Sequence, residues 1–152
     1  MASSISKAEV HKGCKDHLLQ KIDDLKKELE AVKESAIAET KSSMGDKYET
    51  GREMMMQEGN RLGQHLDLFI SQLATLESID LDKRFCEVNH GCLVFTDKSI
   101  FFISSAIGQV SIDGKQVFAI SGEAPIAKSM KGKKEGEPFS FNGITQIIKK
   151  IE

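Results

Sequence analysis

Gly45-Asp46-Lys47-Tyr48-Glu49 interrupts two heptad-patterned runs, and the reading of that break decides the fold. Upstream of it, Leu18, Ile22, Leu25, Leu29, Val32 and Ala36 alternate spacings of four and three. Downstream, Met55, Leu62, Leu66, Phe69, Leu73 and Leu76 keep the same rhythm, with Gly59 filling one seam position. Such a stripe is the a/d seam of a coiled coil. Extending the first register through the break lands on Glu39, Ser43, Asp46, Thr50 and Glu53, all polar. One continuous rod would carry a wet seam at its middle, so the phase slip predicts an antiparallel hairpin with two carboxylates at its far end.

The first arm is expected from about Cys14 to about Lys41, roughly 42 Å at 1.5 Å per residue. Residues 1–12 are polar and are expected to be frayed or only loosely helical. Gly45 suits a left-handed helix stop. The second arm is expected from near Asp46 to near Ser78, and its Met54-Met55-Met56 run reads as packing material near the tip.

Beyond a connector at 79–91 the period changes from helix to strand. Cys92–Thr96 and Ser99–Ser104 flank Asp97-Lys98, Val110–Ile112 and Lys115–Ile120 flank Asp113-Gly114, and Phe139–Phe141 and Ile144–Ile151 flank Asn142-Gly143. Asp-Gly and Asn-Gly between apolar runs signal two-residue hairpins, because type I′ turns need positive φ at both centres. Pro125 is placed to open a short helix that ends by Gly132. The expected class is α+β, divided into a hairpin at 1–78, the connector, and a small antiparallel β domain with one short helix at 92–152.

The chain has 152 residues and a net charge of −2, which conceals an asymmetry. Residues 1–80 hold 11 Lys/Arg against 15 Asp/Glu, and residues 81–152 hold 10 against 8. Neither half is basic enough for stand-alone sequence-specific DNA binding. The start lacks a basic segment followed by an apolar one, and Ile100–Ile107 is too short to cross a bilayer, so no membrane association is expected. Cys14, Cys86 and Cys92 form no paired framework, which fits reduced thiols in a cytoplasm.

Asp46 and Glu49, three residues apart at a helix start, project from one face of the first turn. Asp-x-x-Glu is also a capping-box-like signature. The two roles are compatible, because a capping carboxylate keeps acceptor capacity for a cation. The cluster Lys128, Lys131, Lys133 and Lys134 reads either as a solvated loop or as the border of a protein contact. His11-x-x-Cys14-x-x-His17 and the set Cys86, His90, Cys92 lack the paired spacing of a structural zinc site. Small buried thiols and exposed histidines are the default.

Ala36-Ile37-Ala38-Glu39 followed by Gly45-Asp46-x-x-Glu49 resembles the bacterial GreA/GreB transcript-cleavage factors. Ala124-Pro125-Ile126-Ala127-Lys128-Ser129-Met130-Lys131-Gly132-Lys133 is similar to that family's Ser-Pro-Ile-Ala-x-x-Leu-x-Gly-Lys motif. The resemblance runs from about residue 15 to the end. It implies an FKBP-like C-terminal domain that binds RNA polymerase, with Pro125, Ile126, Lys128 and Lys133 as candidate contacts. It also implies a hairpin in the polymerase's secondary channel. There Asp46 and Glu49 would act as tip carboxylates toward Mg²⁺ shared with the polymerase, assisting cleavage of backtracked RNA at its 3′ end. The chain would then be a monomeric elongation factor rather than an enzyme, with no cofactor of its own. Where the family usually has Leu after the tip Asp and Asn after the tip Glu, this chain has Lys47 and Thr50; Ala124 replaces the motif's Ser and Lys131 an apolar residue. Such departures suit a channel inhibitor or anti-pausing factor without cleavage activity. An FKBP-like peptidyl-prolyl isomerase and a coiled-coil adaptor or homodimer are further alternatives; no Tyr or Trp stands in the C-terminal half to line an isomerase site.

Overall fold

The two heptad runs become two long helices, α1 at Lys7–Ser42 and α2 at Asp46–Glu77. The structure, a computed structural model, describes residues 5–42 and 46–152; the side chains of 36, 38–42 and 46–50 are outside that description. The expected turn at Ser43-Met44-Gly45, with its left-handed Gly45, lies outside the described residues. Strands β1 (Leu93–Thr96), β2 (Ile100–Ser104), β3 (Gly108–Ile112) and β4 (Lys115–Ser121) follow, then α3 (Pro125–Met130), β5 (Pro138–Phe141) and β6 (Ile144–Ile151). The chain is an α+β protein in which a helical hairpin precedes a small, mostly antiparallel sheet. It divides into two compact units, one of residues 1–17 with 72–152 and one of residues 18–71.

In the unit at 18–71 the two helices pack along the predicted seam. Leu18, Ile22, Leu25 and Leu62 are buried. Leu29, Val32, Met55, Leu66 and Phe69 are half-buried. Burying one such side chain fully is worth about 1.5–3 kcal/mol. The arms run antiparallel: Glu28 acts electrostatically on Arg61, while Val32 lies across from Gly59, where an added Cβ would sit 3.9 Å from its Cγ1. Of the three consecutive methionines, only Met55 turns into the seam; Met54 and Met56 are 65 % and 59 % exposed. The methionine run is thus packing material only in its middle residue, because consecutive helical positions point about 100° apart.

The other unit holds the sheet, in the order β3-β4-β2-β1-β6-β5. Asp113 and Gly114 have φ of 51° and 78°, and Asn142 and Gly143 have φ of 53° and 77°. Those are the positive values that a two-residue primed turn demands. The β1–β2 turn is closed differently, by the Thr96 hydroxyl accepting from the backbone N–H of Ser99 at 2.8 Å and of Lys98 at 3.1 Å. One pairing is not antiparallel: β2 lies parallel to β4, Phe101 beside Phe118 and Ser104 beside Ser121. The antiparallel sheet expected from the sequence thus contains one parallel pair. After β2 the chain swings out to the sheet edge, and the Asp113-Gly114 hairpin brings it back between β3 and β2 in β2's own direction.

Both faces of the sheet are covered, which is why Ile100-Phe101-Phe102-Ile103 reads as a continuous apolar run rather than an alternating one. Phe101 and Ile103 join Ala127 and Met130 of α3, together with Phe139 and Ile148, in one core. Phe102 turns to the opposite face, where its ring meets His11 of α1 edge-on at 6.4 Å. There the first turns of α1 lie against β3; a Cβ on Gly13 would stand 2.8 Å from Ile112 Cγ1. Residues 1–12, expected to be frayed, are helical from Lys7, and Ile5, Lys7 and Val10 are buried. Val10 and Cys14 extend the apolar stripe backward from Leu18, and tertiary burial fixes a segment whose composition alone is polar. The 79–91 segment has no regular element, yet Val88 is in the core and exchanges backbone hydrogen bonds with residues 132 and 133 at 2.9 and 2.8 Å.

Candidate functional site

Helix α2 starts at Asp46, so Asp46 and Glu49 stand in the first turn of the second arm. Their side chains lie outside the described residues, and so does the predicted pairing of the two carboxylates. The adjoining described surface is a shallow apolar depression between the arms, about 420 Å³, walled by Val32, Ser35, Gly51, Met54, Met55 and Glu58. Glu58 is tied to its own helix by Arg61, whose Nε donates at 3.0 Å, and this bond holds the Glu58 carboxyl below its usual range.

The C-terminal motif forms α3 and the turn after it. Pro125 occupies the first helical turn, where its missing N–H costs nothing, and Ala124 offers no side-chain cap. Ile126 is partly buried against the sheet core, while Ala127 and Met130 are fully inside it. Lys128 is exposed and bridges Glu123 at 3.7 Å. Gly132 takes φ of +81°, the left-handed conformation that favours glycine and turns the chain back along Val88. Lys133 contributes its carbonyl, which accepts from Val88 N–H at 2.8 Å. Pro125 and Lys128 thus face outward from one short helix, Ile126 is shared with the core, and Lys133 sits just beyond. Ala127, Met130 and Gly132 are structural.

Among the described residues no group of three or more His, Cys, Asp or Glu side chains is placed to hold a metal ion. His11 Nε2 lies 2.8 Å from the carbonyl of Leu76, fastening α1 to the end of α2. Cys14 and Cys92 are buried and Cys86 is exposed. Burial pushes the Cys14 thiol up from an ordinary 9.0 to about 11. It also raises that of Cys92, against a lowering backbone N–H from Asn89 at 3.4 Å.

One unusual group was not legible in the sequence. Lys7 is 7 % exposed, donates from Nζ to the carbonyl of Lys83 at 3.1 Å, and stands 4.9 Å from the Phe85 ring centre. Burial lowers its pKa, opposed by the nearby Cys92, Glu152, Asp80 and Asp82. Only its place on the same face as Val10 and Cys14 hinted that it would be enclosed.

No protein-family model matches the chain. No curated protein matches it. Among solved structures it is similar to that of the transcription factor Gfh1, at 17 % identity and a TM-score of 0.40, over 98 % of this chain and 96 % of that one.

Proposed function

We propose that this protein is a transcription elongation factor of the GreA/GreB type. In this reading the C-terminal unit binds RNA polymerase and the hairpin enters its secondary channel, with the chain acting on the polymerase's own hydrolysis and not as an enzyme itself. The observation that carries the reading is one of placement. Asp46-x-x-Glu49 opens the second helix of an antiparallel pair, and Pro125-Ile126-Ala127 opens the one short helix beside the sheet. Both are the positions that the family resemblance requires of those motifs.

The donor set suits a hard cation, since two carboxylates offer oxygen ligands of the kind Mg²⁺ prefers. Two side chains cannot complete an octahedral shell, so the remaining ligands would come from the polymerase. When bound, Mg²⁺ supplies charge stabilisation to the attacking and leaving oxygens of phosphodiester hydrolysis. Asp46 and Glu49 bring negative charge and acceptor oxygens to the end of the hairpin. Pro125, Ile126, Lys128 and Lys133 are the proposed polymerase contacts, the lysines chiefly speeding association. Cytoplasmic action follows from such a partner, and no described helix is long and apolar enough to cross a membrane.

A second reading, an inhibitor or anti-pausing factor that docks without promoting cleavage, is favoured by Lys47. An ammonium next to Asp46 weakens the field that draws in a cation. The isomerase alternative finds less support, because no Phe, Tyr or Trp lines the cleft beside α3. The test uses backtracked elongation complexes from the protein's own host. Added protein should shorten the RNA in a Mg²⁺-dependent way, and Asp46→Ala or Glu49→Ala should abolish shortening while polymerase binding persists. Binding with uncut RNA would transfer the assignment to the inhibitor reading; absence of binding would end both.

A further inference from the structure

A cleft of about 310 Å³ opens in the sheet-containing unit, between α3, the ends of β2 and β4, and the Asn89-His90 loop. That volume is at the low end of the ~300–1,000 Å³ range of small-molecule sites. Its floor is apolar, made by Val88, Ile103 and Ala127, each at most 3 % exposed. Its walls carry polar groups, some of whose donors have no partner among the described residues. Lys131 forms no ion pair among the described residues, and the His90 ring has no hydrogen-bond partner among them. Ser104 is buried, and its hydroxyl is without a partner, a costly state for a polar group out of water. Glu123 is the one carboxylate in the wall, and Lys128 bridges it at 3.7 Å. With Lys128 set against Glu123, the Lys131 charge is left over.

Gly122 keeps the space open. A Cβ there would point at Ile103 Cγ2, 3.8 Å away, and at His90 Nδ1, 4.0 Å away, so any side chain at this position enters the cleft. Its φ is outside the left-handed region, so the backbone does not itself demand glycine.

We propose that this cleft is a binding site for a small carboxylic acid. Its apolar stem would rest on Val88, Ile103 and Ala127, and its carboxylate would be held at the mouth by Lys131 and the His90 ring. The acid supplies acceptor oxygens to the unpaired Lys131 ammonium and the His90 ring, and its stem fills the space above the apolar floor. Binding there does not rest on the proposed action on polymerase, although Thr75 of α2 and Ala127 of α3 line the cleft.

The test titrates the full-length, isotope-labelled protein with isovalerate and, separately, with its uncharged analogue isovaleramide, following backbone amide shifts. Isovalerate should move the amides of 88–90, 103–104, 121–123 and 127–131. The amide should bind about fivefold or more weakly, the share of a partly exposed charge-assisted hydrogen bond. Lys131→Gln should weaken isovalerate by a similar factor and leave isovaleramide unchanged, and Gly122→Val should remove binding of both. Equal binding of acid and amide, shifts confined to other residues, or undiminished binding by a folded Gly122→Val protein would overturn the proposal. Lys131 is exposed, so Lys131→Gln keeps the test decisive even if Gly122→Val does not fold.

Discussion

Replacing Gly63 by alanine should stabilise the protein, and the same replacement at Gly13 should destabilise it. Both glycines are inside long helices, where alanine is worth about 1 kcal/mol more than glycine. At Gly63 nothing lies within 4 Å of the new methyl group, so the helical gain stands unopposed. It should raise the melting temperature by about 2–4 °C for a chain of this size. At Gly13 the methyl group would meet Ile112 Cγ1 at 2.8 Å and Cδ1 at 3.0 Å, and Ile112 is itself 7 % exposed with little room to yield. Overpacking of that kind costs about 1–3 kcal/mol, which exceeds the helical gain. Ile112→Ala alone should cost about 2–5 kcal/mol, but it removes both colliding atoms. In that background Gly13→Ala should become stabilising, with a coupling of about 1–3 kcal/mol between the sites, the overpacking penalty that is relieved. Urea denaturation followed by circular dichroism measures all four members of the cycle. If Gly13→Ala stabilises as much as Gly63→Ala, or if its sign is unaffected by removing Ile112, the argument from close helix–strand approach is wrong.

Leu62→Ala should cost about 2–5 kcal/mol because the side chain is 2 % exposed in the hairpin seam. By contrast Leu68→Ala, at 53 % exposure, should stay within about 0.5 kcal/mol in the same denaturation assay. With a thiol reagent at neutral pH, Cys86 should react at once and Cys14 and Cys92 only on unfolding, as counted by mass spectrometry. The Cys14 pKa is raised in the folded state to about 11 from 9.0, so its contribution is intact below pH 9 and falls away as pH climbs toward 11. The loss is at most about 2–3 kcal/mol relative to Cys14→Ala, read from urea midpoints across that range. Asp46→Ala and Glu49→Ala should leave thermal stability within about 1 kcal/mol, the usual worth of a helix cap, while abolishing RNA shortening; a larger loss would make capping their main role.

Local patterning was enough to read the helical seam, the start of α2 at Asp46, the two primed turns and the start of α3 at Pro125. Each depends on neighbours within a few residues: a period, a positive-φ turn, a ring that fixes φ. What the sequence could not disclose depends on partners far along the chain. Only the folded sheet places β2 parallel to β4 and sets Ile112 against Gly13. Only burial shows that Val10 and Val88 belong to the core, and that Lys7 is enclosed, despite polar or irregular surroundings. The cleft beside α3 is of the same kind, since Val88, His90, Ile103, Gly122 and Lys131 come from four separate segments. Periodicity and turn chemistry are written residue by residue, whereas enclosure arises only when distant segments pack around a common space.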